Sequence, residues 1–150
     1  MGLDIGGLKN LVKCPAGTSR DDANRLYVNP DFPGRADGVD GDALYDGEYV
    51  DGPCASYSTY SRFRNILAGF SGKSASDYFR GHKGPFWELI NFSDCEGTLG
   101  VMCCQRLLVD FDAYADTASK YDESFFRQWY ASLHQCLKEV VAGNGVLTFG

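Results

Sequence analysis

The sequence predicts an α+β fold: a small, mostly antiparallel sheet with about three helices packed on one face. Strand-like runs come first along the chain and long helical patterns later, an order that favours helices laid on one face of a sheet. The 150 residues suit a single domain, 1–150, large enough for one core. No repeat and no coiled-coil heptad runs through the chain, so its glycine-rich spans read as loops inside that domain.

Residues 3–12 read as the first strand, weakened by Gly6 and Gly7. Residues 14–24 are polar, with Pro15, Gly17 and Ser19, and read as a loop. Arg25, Leu26, Tyr27 and Val28 form a short strand that Pro30 ends. Pro33-Gly34 and Gly38 make residues 29–41 an irregular loop, and residues 43–50 a further strand interrupted at Gly47. Tyr60, Phe63, Ile66, Leu67 and Phe70 recur at helical spacing, predicting a helix over 59–70 that Gly69 or Gly72 terminates. Residues 74–80 read as one more short helix and the aromatic-rich run 86–92 as a short strand. Ser93 and Glu96 have the S-x-x-E spacing of a capping box, which predicts a strand-to-helix corner there. The helix beyond, over 98–118, carries Leu99, Met102, Cys103, Leu107, Phe111 and Tyr114 on one face. Asp122 caps the last helix, whose stripe runs from Phe126 through Trp129, Tyr130, Leu133 and Leu137 to Val140 and Val141. Gly143-Asn144-Gly145 stops it, and residues 146–149 read as a closing strand. Phe125, Phe126, Trp129 and Tyr130 make that helix apolar beyond one face, which predicts a homodimer covering the surplus.

Composition excludes several classes. Nothing approaches the ~18 consecutive apolar residues of a membrane helix. The first residues lack a basic and apolar leader, and Gly6 stands where a myristoylation signal has Ser or Thr, so an intracellular protein is expected. Six cysteines, with no C-x-x-C pair, are expected to stay reduced, with Cys103 and Cys136 as apolar filler. A net charge of −6 argues against a broad nucleic-acid surface. Its excess is local: Asp31, Asp37, Asp40, Asp42, Asp46, Glu48 and Asp51 are opposed only by Arg35 over residues 31–51. That stretch lacks the EF-hand order, and no motif points to a cofactor or a bound metal. It reads as a solvated loop, although carboxylates in such a run also suit a surface offered to a host enzyme.

Three segments resemble a group of small phage and prophage proteins: Met1-Gly2-Leu3-Asp4-Ile5, the run from Asn29 to Ala36, and Phe86-Trp87-Glu88-Leu89-Ile90-Asn91-Phe92-Ser93-Asp94-Cys95-Glu96-Gly97. The resemblance runs over nearly the whole chain and is most specific over residues 92–97. It brings no activity and no catalytic residue. What it implies is a setting: a virus-encoded accessory protein in the cytoplasm of a bacterial host, of a kind that often interferes with host defence.

The best candidate ligand surface is the predicted helix start around Tyr57, Ser58 and Tyr60 with Arg62 and Arg64. Free N–H groups and the helix dipole favour an anion there, guanidinium groups grip phosphate, and phenol rings stack on a base. The same residues also suit an N-capped helix with solvated arginines and core tyrosines. Arg80, His82 and Lys83, set among glycines, form a second basic group able to close over a phosphate. Asp94 and Glu96 complete the candidate set at the 93–97 corner. An enzyme would need Cys54 with His82 or His134, or Asp94 with Glu96 as an acid–base pair, and no convincing triad is present. The expectation is therefore non-catalytic binding of a small phosphorylated ligand, such as a nucleotide messenger of host immunity. The alternatives are a protein inhibitor presenting the acidic loop and an uncharacterised hydrolase.

Overall fold

In the computed structural model, which describes residues 2–150, strand β1 (Gly2–Lys13) is the hub of the sheet. It pairs with β3 (Leu44–Val50) along Gly7 to Lys13, with β6 (Val146–Phe149) along Ile5 to Leu8, and with β4 (Cys54–Ser56) along Gly2 to Asp4. A two-residue β2 (Asn24–Arg25) extends β3, and β5 (Gly97–Leu99) extends β6. The order is β2-β3-β1-β6-β5, antiparallel throughout.

Gly6 and Gly7 do not interrupt this strand; they let its neighbours approach. A Cβ on Gly7 would stand 2.3 Å from Cγ2 of Val140, and one on Gly6 would stand 2.7 Å from Oη of Tyr49. Beyond Lys9 the pairing register shifts, and Asn10 takes a positive φ of 54° that Asn tolerates better than most residues.

Three long helices, α1 (Tyr57–Gly69), α4 (Val101–Ala113) and α6 (Ser124–Ala142), cover one face of the sheet. Shorter α2 (Ala75–Phe79), α3 (Trp87–Ile90) and α5 (Ala115–Ser119) raise the helix count above the predicted three. Leu3, Ile5, Val50, Leu147 and Phe149 of the sheet meet Phe63, Phe111, Phe126, Leu133 and Leu137 of the helices in one core. Leu8, Leu26, Tyr45 and Val146 make a smaller cluster of their own. Among the described residues no helix is long and apolar enough to cross a membrane.

Several boundaries differ from the sequence reading. Only Asn24 and Arg25 pair as a strand; Leu26 is buried in the smaller cluster, while Tyr27 and Val28 are exposed. Residues 86–92 hold α3 rather than a strand. Phe86 turns the chain at φ 64°, with its N–H donated to Oδ2 of Asp110 at 2.9 Å. The Ser93 hydroxyl does accept from the Glu96 N–H at 3.1 Å, but no helix follows, because β5 intervenes. Helix α4 instead begins at Val101, and the cap comes from far away: Asp37 accepts from the N–H groups of Met102 at 2.8 Å and Cys103 at 3.2 Å. The predicted 98–118 helix breaks at Tyr114 into α4 and α5. Ser56 caps α1, and α6 starts after Glu123 with no side-chain cap from Asp122. Phe126, Trp129 and Tyr130 are buried within the chain and Phe125 is half-buried, so the surplus on which a homodimer is predicted is covered internally.

Cys103 and Cys136 are buried, as their positions on apolar helix faces suggest, and Cys104 is buried as well. Burial pushes the Cys103 thiol up to about 11 and that of Cys136 to about 12, and raises Cys104 as well. The unfolded chain ionises these thiols near ~8.5 while the fold holds them neutral, so stability complete at neutral pH declines as pH rises through that value toward the folded pKa values. A thiol reagent at neutral pH is expected to modify the exposed Cys54 and Cys95 of the folded protein, and the three buried thiols only in denaturant. Equal labelling rates with and without denaturant would contradict this packing.

Candidate functional site

Two loops and two helices enclose an open hollow of about 460 Å³. One wall is the chain at Tyr27, Asn29, Asp31 and Phe32; another is the turn from Phe92 to Glu96; Arg64 of α1 and Phe79 of α2 close the rest. The turn is fixed locally by the Ser93 hydroxyl, which accepts from the N–H groups of Cys95 at 3.2 Å and Glu96 at 3.1 Å. Asn29 ties the two loops together. Its Nδ2 donates to the Glu96 carbonyl at 3.0 Å, and its Oδ1 accepts from the Asp31 N–H at 3.0 Å. Gly97, at φ 147°, carries the chain over Phe92, whose Cζ would stand 2.6 Å from an added Cβ.

Arg64 gives the hollow its chemistry. The side chain is only 6 % exposed, and its Nη1 donates to the Phe92 carbonyl at 3.0 Å and the Ile90 carbonyl at 3.4 Å. The guanidinium carbon lies 4.4 Å from the Tyr60 ring centroid and 5.7 Å from that of Phe79. Its Nε is buried without a partner, and among the described residues no carboxylate pairs with it. A buried cation without a counter-ion is costly; here carbonyl dipoles and aromatic faces offset the cost only in part. Asp31, Asp94 and Glu96 line the same hollow, all exposed and, among the described residues, none in an ion pair. One guanidinium at depth thus faces three carboxylates at the rim.

The structure therefore joins Arg64 with Asp94 and Glu96, and sends the other predicted site residues elsewhere. Arg62 lies two positions from Arg64, nearly half a turn around the helix, and such residues do not share a face. It pairs with Glu123 and lies 5.5 Å from the Phe125 ring. Tyr60 is fully buried below Arg64, with burial pushing its phenol pKa up. Tyr57 packs half-buried against the core, and Ser58 is exposed beside Ser56, 3.0 Å between hydroxyls. Arg80 pairs with Asp77 at 3.0 Å; His82 packs edge-on against Tyr78 at 5.1 Å; Lys83 sits over the Trp87 ring at 4.8 Å. The convergence of phenols and arginines predicted near residue 60 is not found.

Three of the seven acidic residues over 31–51 are engaged within the chain. Asp37 caps α4, Asp40 pairs with Lys13 at 2.9 Å, and Glu48 accepts from Asn10 at 3.0 Å. Among the described residues no group of three or more His, Cys, Asp or Glu side chains is placed to hold a metal ion. His134 bonds Asp112 at 2.7 Å, and no hydrogen bond joins Cys54 to His134 or His82 among the described residues. Sequence reasoning missed Tyr27, Asp31, Phe32 and Phe79 as lining residues. The signal available was the Asn29–Pro30–Asp31–Phe32 segment, where the acidic run begins next to an aromatic residue. The chain matches no protein-family model, no curated protein and no solved structure.

Proposed function

We propose that this chain is a non-catalytic binder that holds a small ligand in the Arg64 hollow. In the viral setting implied by its resemblance, that role is sequestration of a molecule made by the host. The observation that carries the reading is Arg64 itself: a cation 6 % exposed, without a counter-ion, on the floor of an open hollow. An anionic group entering there supplies the missing partner. The hollow's volume of about 460 Å³ suits a small molecule, and Phe32 and Phe79 offer apolar faces to it. No histidine lines it, and its one thiol, Cys95, is 3.5 Å from the Ser93 hydroxyl rather than beside a base. Binding without chemistry fits this lining better than catalysis does. The phosphorylated ligand suggested by the sequence would meet Arg64 alone, since Arg62 and Arg80 have carboxylate partners and Lys83 lies over Trp87.

Thermal-shift measurement against a panel of cyclic and linear nucleotides, sugar phosphates and amino acids tests the reading. A ligand at 100 times its Kd adds about 2.7 kcal/mol, which raises Tm by roughly 5–10 °C in a domain of this size. The shift is expected to vanish in Arg64→Met and to persist in Arg62→Met. No shift with any member, or equal loss in both variants, would overturn it.

A further inference from the structure

We infer that the ligand of this hollow is a zwitterion, carrying one singly charged anionic group and one ammonium or guanidinium group. The inference rests on the proposed role of the Arg64 hollow and specifies the chemistry it selects. Three observations point the same way. Arg64 has little left to give an anion: Nη1 is committed to the carbonyls of Phe92 and Ile90, and Nε is sealed from the hollow. Among the described residues Nη2 donates no hydrogen bond, so the floor offers one nitrogen rather than a two-pronged fork. The bidentate grip that phosphate favours is closed, while a single hydrogen bond to a carboxylate is open.

Three backbone N–H groups at the rim are already engaged. The N–H groups of Cys95 and Glu96 point to the Ser93 hydroxyl, and that of Asp31 to Asn29. The rim, in contrast, is rich in acceptors. Asp31, Asp94 and Glu96 give the lining a charge of −2 once Arg64 is counted, since one positive and three negative groups are present. A phosphate dianion would enter against that field, whereas a cationic group is drawn to it. Tyr27, 48 % exposed, and Phe79, 52 % exposed, hold ring surface beside those carboxylates and favour a cation as well. An amino acid with a large side chain, or a dipeptide, combines these features at a size the hollow admits.

The test uses the folded chain and four probes: free phenylalanine, the dipeptide Phe-Ala, its N-acetyl derivative, and AMP. Titration calorimetry is expected to detect a zwitterion, with N-acetylation weakening binding at least tenfold. Asp94→Asn with Glu96→Gln, both exposed positions, is expected to weaken the zwitterion tenfold or more while improving AMP. If AMP binds, loses its binding in Arg64→Met, and exceeds every zwitterion, the hollow remains the site and the zwitterion is overturned. If no probe binds and the nucleotide and sugar-phosphate panel gives no thermal shift either, the site itself falls and the inference with it.

Discussion

Phe126→Ala is expected to remove about 3–5 kcal/mol of stability. Phe126 is fully buried at the start of α6, where four rings meet it: Phe63 at 5.0 Å, Phe70 at 5.6 Å, Tyr121 at 4.8 Å and Tyr130 at 5.9 Å. Those partners belong to α1, to its C-terminal end, to the link before α6, and to α6 itself, so the cavity opens where three segments are joined. Stacking geometry adds to area burial, at about 0.5–1.5 kcal/mol per aromatic pair beyond the transferred surface. Against a total of about 5–15 kcal/mol for an ordinary domain, the variant loses a large share of its margin. Urea denaturation should show a lower midpoint with an unchanged slope. Phe125→Ala is the control. Its ring is half-buried on the neighbouring face beneath Arg62, and its truncation is expected to cost well under half as much. Equal losses at the two positions would contradict the packing described.

What the sequence made legible follows from the range of the forces involved. The three long helices announce themselves because an apolar stripe repeating every three or four residues is a local property, and β3 and β6 are short runs bounded by clear turn residues. Residues 86–92 were not decidable that way. A seven-residue aromatic-rich run fits a strand or a helix equally, and the choice falls to partners outside it, Asp110 on the Phe86 N–H and Tyr78 on the Pro85 carbonyl at 2.7 Å. Ser93 and Glu96 have the right chemistry for a cap, but Gly97 at φ 147° turns the chain into β5 before a helix can grow. Of the candidate site, Arg64, Asp94 and Glu96 were visible as residue types. Their meeting was not, because the Asn29 side chain and the Glu96 carbonyl that close the hollow are 67 residues apart. The separation of Arg62 from Arg64, in contrast, is dictated by helix geometry alone, and it is this that removes the predicted cluster around residue 60.

Gly100→Ala is expected to cost about 2–4 kcal/mol and to weaken the hollow at the same time. The φ of −73° at Gly100 suits alanine, so backbone freedom is not the issue. Space is. An added Cβ would stand 2.2 Å from the Asp37 carbonyl oxygen, 2.3 Å from its nitrogen and 2.5 Å from Oδ1. Backbone atoms cannot step aside as a flexible side chain would, so residues 35–37 must move. Their movement breaks the 2.7 Å bond from the Gly100 N–H to the Arg35 carbonyl and withdraws the Asp37 cap from Met102 and Cys103. The lost cap accounts for about 1 kcal/mol and the strain for the remainder. The same loop holds Asn29, Asp31 and Phe32 in the hollow, and Arg35 anchors it through Oδ1 of Asn91 at 2.9 Å and the face of Trp87 at 3.7 Å. Ligand binding should therefore fall together with stability, although Gly100 does not line the hollow. Hydrogen exchange at the Met102 and Cys103 amides should accelerate in the variant, and denaturation should give the stability change. Asp37→Ala separates the two contributions, because it removes the cap and leaves the backbone fit intact, at an expected cost of about 1 kcal/mol. Gly69→Ala, where an added Cβ meets no atom within 4 Å, should be neutral or slightly stabilising. A Gly100→Ala protein as stable as the parent, with slow exchange at Met102, would show that the loop is not locked to α4 as described.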